Sequence, residues 1–541
     1  MTSLMELPLE TFRQVMAEAV CVRGLKRAMR LRTVSKMFAS EILEALFTLH
    51  MSGRPLVLDD ASYSVDHSDT GNGESESTTK QKVKRSQPSL HHIGPHGPLW
   101  IPYLLRRVLI ERPNDGAGLM TVRVFAKILA MEDDDQDINS ASKAYLASMC
   151  ELVGKTGYAP FPTFWQNDTS GRVLADNHIV CPSRDELDAL DFFQGAKGYF
   201  TAENLLAAAA YSNNLPLATR LVGKGYNVFE NSSDGFPSPY QAAIYGNHPE
   251  MLDLLFRGSS HERSKKYFRR LALIKSAHLG HGDMVELILQ AKWVPWDFEQ
   301  GCRRGTDAYA WKLALNTPDV KTLNILMSFP ESEPYRKTGS LRTLRYKHLD
   351  EAVKHNWLAM ARHLLESGIT ANGLPKTKKT KAVEPQMLPL YQACFKGNTE
   401  MVKLLCDHGA RPRELHLVAA ASKGHLGVTR ILVDLGIEAR GIVARAASSG
   451  CVEVVKLLID RGAEINNSYP GLHMKTFLPV YPALIGAIVL EHTAMFRLLI
   501  ERGAELTPQI ACEAGANAAG LESMLDLLKE YGVDINLDED F

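Results

Sequence analysis

The sequence predicts a mainly α-helical solenoid of about ten degenerate helix-turn-helix repeats, preceded by a small helical domain at the N-terminus. Three observations predict this fold. A segment of small residues, a Gly or Asn turn and an aliphatic segment recur in that order across residues 199–541. The aliphatic segments have helical spacing, and several of them close with Gly-Ala. Because no single repeat covers its own apolar face, such repeats gain stability only by stacking.

The repeat is clearest in residues 389–410 and 442–463. In the first copy a small-residue segment around Ala393 leads to Gly397, and the aliphatic run MVKLL leads to Gly409. The chain must reverse between the two segments, where a positive φ favours glycine. We therefore predict positive φ at Gly397, Gly424, Gly450 and Gly520.

Ten aliphatic segments are predicted as second helices, at residues 215–222, 251–256, 284–289, 323–327, 360–365, 401–406, 428–433, 454–459, 495–500 and 524–528. Closing glycines stand at positions 225, 258, 368, 409, 436, 462, 503 and 532. The pattern resembles the ankyrin repeat, whose period is about 33 residues. That resemblance implies a solenoid that binds proteins and has no catalytic residues. No copy shows the full T-P-L-H signature of the family.

The spacing of the closing glycines varies along the array. Gly409, Gly436 and Gly462 are 27 and 26 residues apart, which leaves no room for the usual β-hairpin between repeats. Gly368 and Gly409 are 41 residues apart, as are Gly462 and Gly503, so we expect extended loops there. The two copies in residues 271–330 lack a closing glycine.

The N-terminal segment, residues 1–50, contains a Leu7-Pro8-Leu9 start and a later run, Leu31 to Phe38, that reads LRTVSKMF. Pro8 suits the first turn of a helix, and apolar residues recur at helical spacing in both parts. The segment resembles an F-box, a three-helix unit that docks the Skp-type adaptor of a cullin ubiquitin ligase. The resemblance implies an adaptor interface formed by Leu7, Pro8, Leu9, Phe12, Leu31, Val34 and Phe38. A helical hairpin that acts as a cap is the alternative.

Two further regions separate this segment from the repeats. Residues 51–98 are dominated by polar and charged residues and are predicted to be a disordered linker. Residues 99–198 alternate helical pieces with loops, and we predict an irregular helical region that caps the array. The combination of F-box-like segment, linker and repeats resembles fungal ankyrin proteins.

Composition limits the classes of partner. Lys and Arg number 61 against 62 Asp and Glu, and this balance argues against a general nucleic-acid or membrane-surface binder. The longest apolar run, residues 477–490, is too short to span a membrane and contains two prolines. Eight cysteines without a C-x-x-C pair indicate reduced thiols. We expect a cytoplasmic or nuclear protein, and Lys82-Val83-Lys84-Arg85 is a candidate import signal.

No motif in the sequence supports catalysis or a cofactor. Gly154-Lys155-Thr156 ends like a P-loop, but the position that requires the first glycine is Met149. Asp133, Asp135 and Asp137 have calcium-loop spacing, yet the required Gly and Glu are absent. We therefore expect no enzyme activity, no cofactor and no metal site.

Two clusters leave alternatives open. Trp293, Trp296 and Phe298 are either exposed binding residues at a hairpin tip or packing residues under an irregular repeat. The lysines of residues 376–381 form either a solvated loop or a surface for an acidic partner.

The sequence thus predicts protein–protein recognition. The sharper hypothesis is a substrate-receptor subunit of a cullin-type ubiquitin ligase, in which the array holds a target protein close to the recruited enzyme. The alternative is a non-catalytic ankyrin scaffold or regulator unrelated to ubiquitin.

Overall fold

The computed structural model describes residues 15–16, 100–109, 117–133, 138–155, 200–229, 235–259, 262–298, 302–330, 340–372, 388–439, 441–466, 482–511, 514 and 521–533. The regular elements in these ranges are α-helices, and no β-strand occurs among them. None of these helices is both long enough and apolar enough to cross a lipid bilayer. The chain forms two compact units, Met1–Ser260 and His261–Phe541.

The first unit contains three N-terminal helices and two helix pairs. The N-terminal helices are α1 (Trp100–Leu109), α2 (Ala117–Glu132) and α3 (Ile138–Lys155). The pairs are α4 (Ala202–Tyr211) with α5 (Leu215–Gly223), and α6 (Pro239–Gly246) with α7 (Pro249–Gly258).

Helices α1–α3 pack on one another, and α3 also contacts α4 and α6. Tyr211 Oη donates to Glu151 at 3.0 Å, and Lys155 Nζ donates to the same Tyr211 oxygen at 3.0 Å. Helix α3 therefore lies on the first helices of the first two pairs.

The second unit contains seven helix pairs and one further helix in its described part. The pairs are α8 (Glu262–Leu279) with α9 (Gly282–Gln290), α10 (Asp307–Ala314) with α11 (Val320–Ser328), α12 (Ser340–Lys354) with α13 (Leu358–Glu366), α14 (Pro389–Lys396) with α15 (Thr399–Asp407), α16 (Glu414–Ala421) with α17 (Leu426–Asp434), α18 (Val443–Ala447) with α19 (Val452–Asp460), and α20 (Ala483–Val489) with α21 (Thr493–Glu501); the further helix is α22 (Glu522–Glu530). All ten predicted second helices are helical in the structure.

Within each unit, several first helices pack against the first helices of neighbouring pairs, and several second helices pack against second helices. Helix α14 contacts α12 and α16, while α15 contacts α13 and α17. The small residues explain the close approach of the first helices. Ala207–Ala210, Ala419–Ala421 and Ala446–Ala447 are all buried, as their composition predicts.

The closing Gly-Ala pair has a specific backbone role. Gly409 has φ +85°, and its N–H donates to the Cys406 carbonyl at 2.9 Å. The Ala410 N–H donates to the Leu405 carbonyl at 2.9 Å, and the Ala410 side chain is buried. This is a Schellman motif, in which a left-handed residue lets the last helical carbonyls find donors.

The structure shows that one of the predicted closing glycines, Gly258, has a different role. Gly258 is the last residue of α7, and its φ is not positive. A Cβ at this position would lie 2.2 Å from Cγ1 of Val222. Gly258 is therefore required for close packing of α7 against α5 and not for chain reversal.

The reversals between paired helices follow the prediction at three of the four glycines. Gly397, Gly424 and Gly450 have φ values between +73° and +76°, and Gly520 lies outside the described residues. Asn213, Asn247 and Asn356 adopt the same conformation in other repeats, as does Glu491 with φ +51°.

At the start of each extended loop, an asparagine side chain makes the same kind of hydrogen bond to the next repeat. Asn372 Nδ2 donates to the Gly409 carbonyl at 3.0 Å, and Asn466 Nδ2 donates to the Gly503 carbonyl at 3.1 Å. Each Asn stands four residues after a closing glycine. An equivalent hydrogen bond therefore links each of these two repeats, whose closing glycines are followed by the next one 41 residues later, to its neighbour. In the short repeats, only a few residues connect α15 to α16.

Candidate partner-binding surface

The second-helix face of the second unit carries paired charges. Lys321 Nζ lies 2.8 Å from Asp283, and Arg497 Nη2 lies 2.9 Å from Glu530. Arg461 pairs with Asp434 at 2.7 Å and Arg502 with Asp460 at 2.6 Å. All four pairs join consecutive repeats, and their side chains are exposed or partly exposed, so each contributes little to stability. They nevertheless neutralise the four cations that take part.

The C-terminal ends of first helices α12, α14 and α16 have a different character. We define the Phe395 ridge as the exposed residues at these three ends, which are Lys354, His355, Phe395, Lys396 and Lys423.

Phe395 is the apolar centre of the ridge. Its side chain is 39% exposed, although a Phe in a folded domain is usually buried. One turn earlier on α14, the Tyr391 ring is stacked with it at 6.1 Å between centroids. From the next repeat, Lys423 Nζ lies 4.8 Å from the centre of the Phe395 ring. The cation and the ring therefore form a cation–π pair at the surface.

The lysines at the other end of the ridge are held by backbone and carboxylate groups. Lys396 Nζ donates to the Lys354 carbonyl, at the C-terminus of α12, where the helix dipole favours a cation. Lys354 Nζ lies 2.8 Å from Glu351, and His355 Nε2 lies 3.5 Å from the same carboxylate. His355 also stacks on Trp357, with ring centroids 5.2 Å apart.

A histidine from the following repeat fixes the backbone beneath Phe395. His425 Nε2 lies 3.0 Å from the Phe395 carbonyl. The ring reaches this position because Gly397 has no side chain: a Cβ there would lie 2.5 Å from His425 Nδ1. His248 makes the equivalent contact with the Tyr211 carbonyl at 2.9 Å. These contacts hold the C-terminal ends of neighbouring first helices together.

The aromatic cluster of the irregular repeats packs inward. Phe298 is buried, and Trp296 contacts both Phe298 and Phe329 with ring centroids about 6 Å apart. The guanidinium of Arg269 lies 3.6 Å from the centre of the Trp296 ring. The packing alternative is therefore supported for Trp296 and Phe298, and these two are not exposed binding residues.

An ion network lies beneath this cluster. Asp307, at the start of α10, accepts from Arg269 Nη2 at 3.0 Å and from Arg270 Nε. The Asp297 N–H donates to Asp307 Oδ2 at 2.8 Å, and Arg269 also donates to the Val294 carbonyl. Burial lowers the pKa of Arg269 to about 10, while Asp307 acts against that shift. The network joins the Trp296 loop to α8 and α10 and is structural.

The residues predicted for the adaptor interface cannot be placed. Leu7, Pro8, Leu9, Phe12, Leu31, Val34 and Phe38 all lie outside the described residues. Within the predicted F-box-like segment, the structure describes Val15 and Met16, which are helical. Val15 is 36% exposed and Met16 is 2% exposed. The lysines of residues 376–381 also lie outside the described part.

The described residues that were considered for phosphate binding, metal binding or thiol chemistry have structural roles. Gly154 and Lys155 are the last residues of α3 and do not form a phosphate-binding loop. The side chains of the described residues form no group of three or more His, Cys, Asp or Glu that could hold a metal ion. Burial raises the pKa of the Cys150 thiol to about 12 and raises that of Cys394. Both thiols are therefore protonated packing groups.

A family model described as ankyrin repeats (3 copies) matches residues 349–441, which include the whole Phe395 ridge. Residues 349–441 therefore carry ankyrin repeats. The chain is similar to the ankyrin repeat protein R598 of Acanthamoeba polyphaga mimivirus, at 27% identity over 235 residues, covering 40% of this chain and 67% of the viral protein. A comparison of structures finds the ankyrin repeat domain of human ASB11 at 19% identity, with a TM-score of 0.28, covering 34% of this chain and 84% of that domain.

Ankyrin repeats indicate a protein–protein interaction module, and proteins built from them are generally non-catalytic. Sequence reasoning found the repeats but missed the Phe395 ridge. The available signal was Phe395 itself, a large aromatic residue on the exposed side of a small-residue helix, directly followed by Lys396.

Proposed function

We propose that this chain is a substrate-receptor subunit of a cullin-type ubiquitin ligase. In this proposal the ankyrin repeats bind a target protein at the Phe395 ridge. The F-box-like segment, residues 1–50, docks the Skp-type adaptor through Leu7, Pro8, Leu9, Phe12, Leu31, Val34 and Phe38. The receptor has no catalytic residue of its own and acts by raising the effective concentration of the target near the recruited enzyme.

One observation supports the proposal that the ankyrin repeats bind a target protein. The Phe395 ring is exposed within the repeats that the ankyrin family model matches. Aromatic residues that stay exposed in a folded domain are frequent binding hot spots, because a partner can remove their surface from water. The adaptor half rests on the resemblance of the N-terminal segment to an F-box.

Such a receptor works in the cytoplasm or the nucleus. The described cysteines at positions 150, 302, 394, 406 and 451 are free thiols, which fits a compartment that keeps thiols reduced.

A scaffold or regulator unrelated to ubiquitin is the second candidate. Its support is that Met16, in the F-box-like segment, is almost completely buried. An apolar residue that packs inward fits a helical cap better than an exposed adaptor dock.

The experiment that separates the two candidates is a binding assay with a purified Skp-type adaptor. The full-length protein is compared with the double variant Leu7→Ala, Pro8→Ala and with Phe395→Ala as the control. A receptor binds the adaptor, loses it in the double variant and keeps it in Phe395→Ala, with unchanged circular dichroism in all three. Absence of binding by the wild-type protein would reject the receptor and favour the scaffold.

A further inference from the structure

Lys396 and Lys423 differ from the four paired cations of the second-helix face. Lys396 contacts the Lys354 carbonyl, and Lys423 contacts the Phe395 ring. Among the described residues, no carboxylate lies within salt-bridge distance of either ammonium group. On the second-helix face, four cations of other repeats are instead paired with carboxylates: Lys321, Arg461, Arg497 and Arg502. The ridge therefore presents two uncompensated positive charges on either side of an exposed aromatic ring.

This arrangement selects the chemistry of a partner. A ligand with carboxylates would pair with the two ammonium groups, and an apolar side chain would cover the exposed side of the Phe395 ring. A basic partner would be repelled at the same positions. A purely apolar partner would leave the two charges without compensation.

The geometry also sets a spacing. The Lys396 ammonium reaches the end of α12, the Lys423 ammonium lies beside the Phe395 ring of α14, and packed helices lie about 8–10 Å apart. In an extended peptide the side chains at i, i+2 and i+4 share one face, and four residues span about 13 Å. Two acidic residues at i and i+4, with an apolar residue at i+2 on the same face, would match the ridge.

We propose that the Phe395 ridge binds an extended acidic segment of the partner protein, with two carboxylates four residues apart and an aromatic or aliphatic anchor midway between them on the same face. The carboxylates pair with Lys396 and Lys423, and the anchor packs on Phe395. This proposal rests on the proposed protein-binding role of the repeats and names the class of segment that they recognise.

The first test is fluorescence anisotropy with the full-length protein and three labelled twelve-residue peptides. One contains two copies of Glu-Ser-Phe-Ser-Glu, the second replaces every Glu with Lys, and the third keeps Glu but replaces Phe with Ser. Saturable binding of the first peptide alone is the expected result, and its affinity should fall as the salt concentration rises. Equal binding of the Lys peptide would overturn the proposal.

Matched variants assign the binding to the ridge. The double variant Lys396→Glu, Lys423→Glu should weaken binding of the acidic peptide at least about tenfold, because two attractions become repulsions. Phe395→Ala should weaken it about fivefold or more. Lys403→Glu is the control, since Lys403 is an exposed lysine on α15 in the same repeat. A similar loss in Lys403→Glu would show non-specific attraction to charge and reject the ridge.

A second measurement separates failure of this inference from failure of the proposed function. Phe395 is replaced by the photocrosslinking analogue p-benzoylphenylalanine, and adducts formed in extract of the cells that express the protein are mapped by mass spectrometry. An adduct within an acidic segment agrees with the proposal. An adduct within a segment without carboxylates overturns it but keeps the protein-binding role of the repeats, and absence of any adduct rejects both. A single-stranded oligonucleotide should not compete; competition would favour a nucleic-acid ligand and overturn the proposal.

Discussion

Arg269 and Asp307 form an ion pair in which neither side chain is exposed to solvent, with 3.0 Å between Nη2 of Arg269 and Oδ2 of Asp307. Removal of one member would leave the other charge buried without its partner. We predict that Asp307→Ala lowers the free energy of unfolding by about 3–5 kcal/mol, the range measured for broken buried pairs. Urea unfolding followed by circular dichroism measures this loss.

Asp283→Ala is the matched control, because Asp283 pairs with Lys321 on the surface. We expect little change in that variant, since exposed pairs contribute little. A small effect of Asp307→Ala would contradict the structural role of the network. The double variant Arg269→Met, Asp307→Leu should be less destabilised than Asp307→Ala, because it leaves no member of the Arg269–Asp307 pair as a lone buried charge.

Gly397 combines a positive φ with a close approach of His425, and Gly409 has the positive φ alone. We predict that Gly409→Ala costs about 1 kcal/mol, from backbone strain. Gly397→Ala should cost clearly more, because the new methyl group also displaces His425 from the Phe395 carbonyl. Thermal unfolding of both variants tests the difference, and equal losses would show that the His425 contact contributes nothing.

Glu491 occupies a left-handed position that Gly or Asn fills in the other repeats described above. Non-glycine residues there carry backbone strain of about 1 kcal/mol. We predict that Glu491→Gly stabilises the protein by about 0.5–1 kcal/mol, as judged by the midpoint of unfolding. Glu491→Ala keeps the strain and removes the side chain, so it should not stabilise; stabilisation by Ala as well would attribute the effect to the side chain.

Acidification should destabilise the protein through buried histidines. Burial lowers the pKa of His348 below 6.5, while its Nε2 lies 2.7 Å from the Thr317 carbonyl. Between the lowered pKa and 6.5, the unfolded chain binds a proton that the folded state does not. Stability from this group is therefore complete above 6.5 and is lost as the pH falls. The pKa values of His248 and His416 are lowered in the same way.

Urea unfolding at pH 7 and pH 5 checks the sign. His348→Gln keeps a hydrogen-bond donor and should lose less stability on acidification than the wild type. Burial raises the pKa of Asp350 from 3.8 to about 6, so this group contributes in the opposite sense, stabilising the fold as the pH falls. Asp350→Asn should therefore make the loss steeper. A larger loss of stability on acidification in His348→Gln than in Asp350→Asn would refute the opposite contributions assigned to these two groups.

The cysteines should differ strongly in reactivity. The pKa of Cys150 is raised to about 12 from 9.0, which leaves about a thousandfold less thiolate at neutral pH, and its side chain is buried. Cys302 is exposed. We predict fast alkylation of Cys302 by iodoacetamide and alkylation of Cys150 only after unfolding, as measured by peptide mass spectrometry. Comparable rates in the native protein would contradict the described burial.

The second helices were predictable because an aliphatic stripe at helical spacing has one stable location, the interface between stacked repeats. The turn glycines were predictable because left-handed backbone excludes most side chains. Glu in the same conformation was not, because nothing local distinguishes Glu491 from an ordinary loop residue. Gly258 was misread since glycine serves both chain reversal and close packing, and only the position of Val222 decides between them.

The sequence by itself determined the repeat fold, the positions of the second helices and the absence of a recognisable catalytic motif, because these depend on local periodicity and residue type. The tertiary structure decided which side chains meet. It placed the half-buried Trp296 against the buried Arg269, joined Arg269 and Arg270 to Asp307 across 37 or more residues, and left Phe395 exposed beside Lys423. These relationships link different repeats, and contacts between repeats depend on the stacking of helices, which no local pattern encodes.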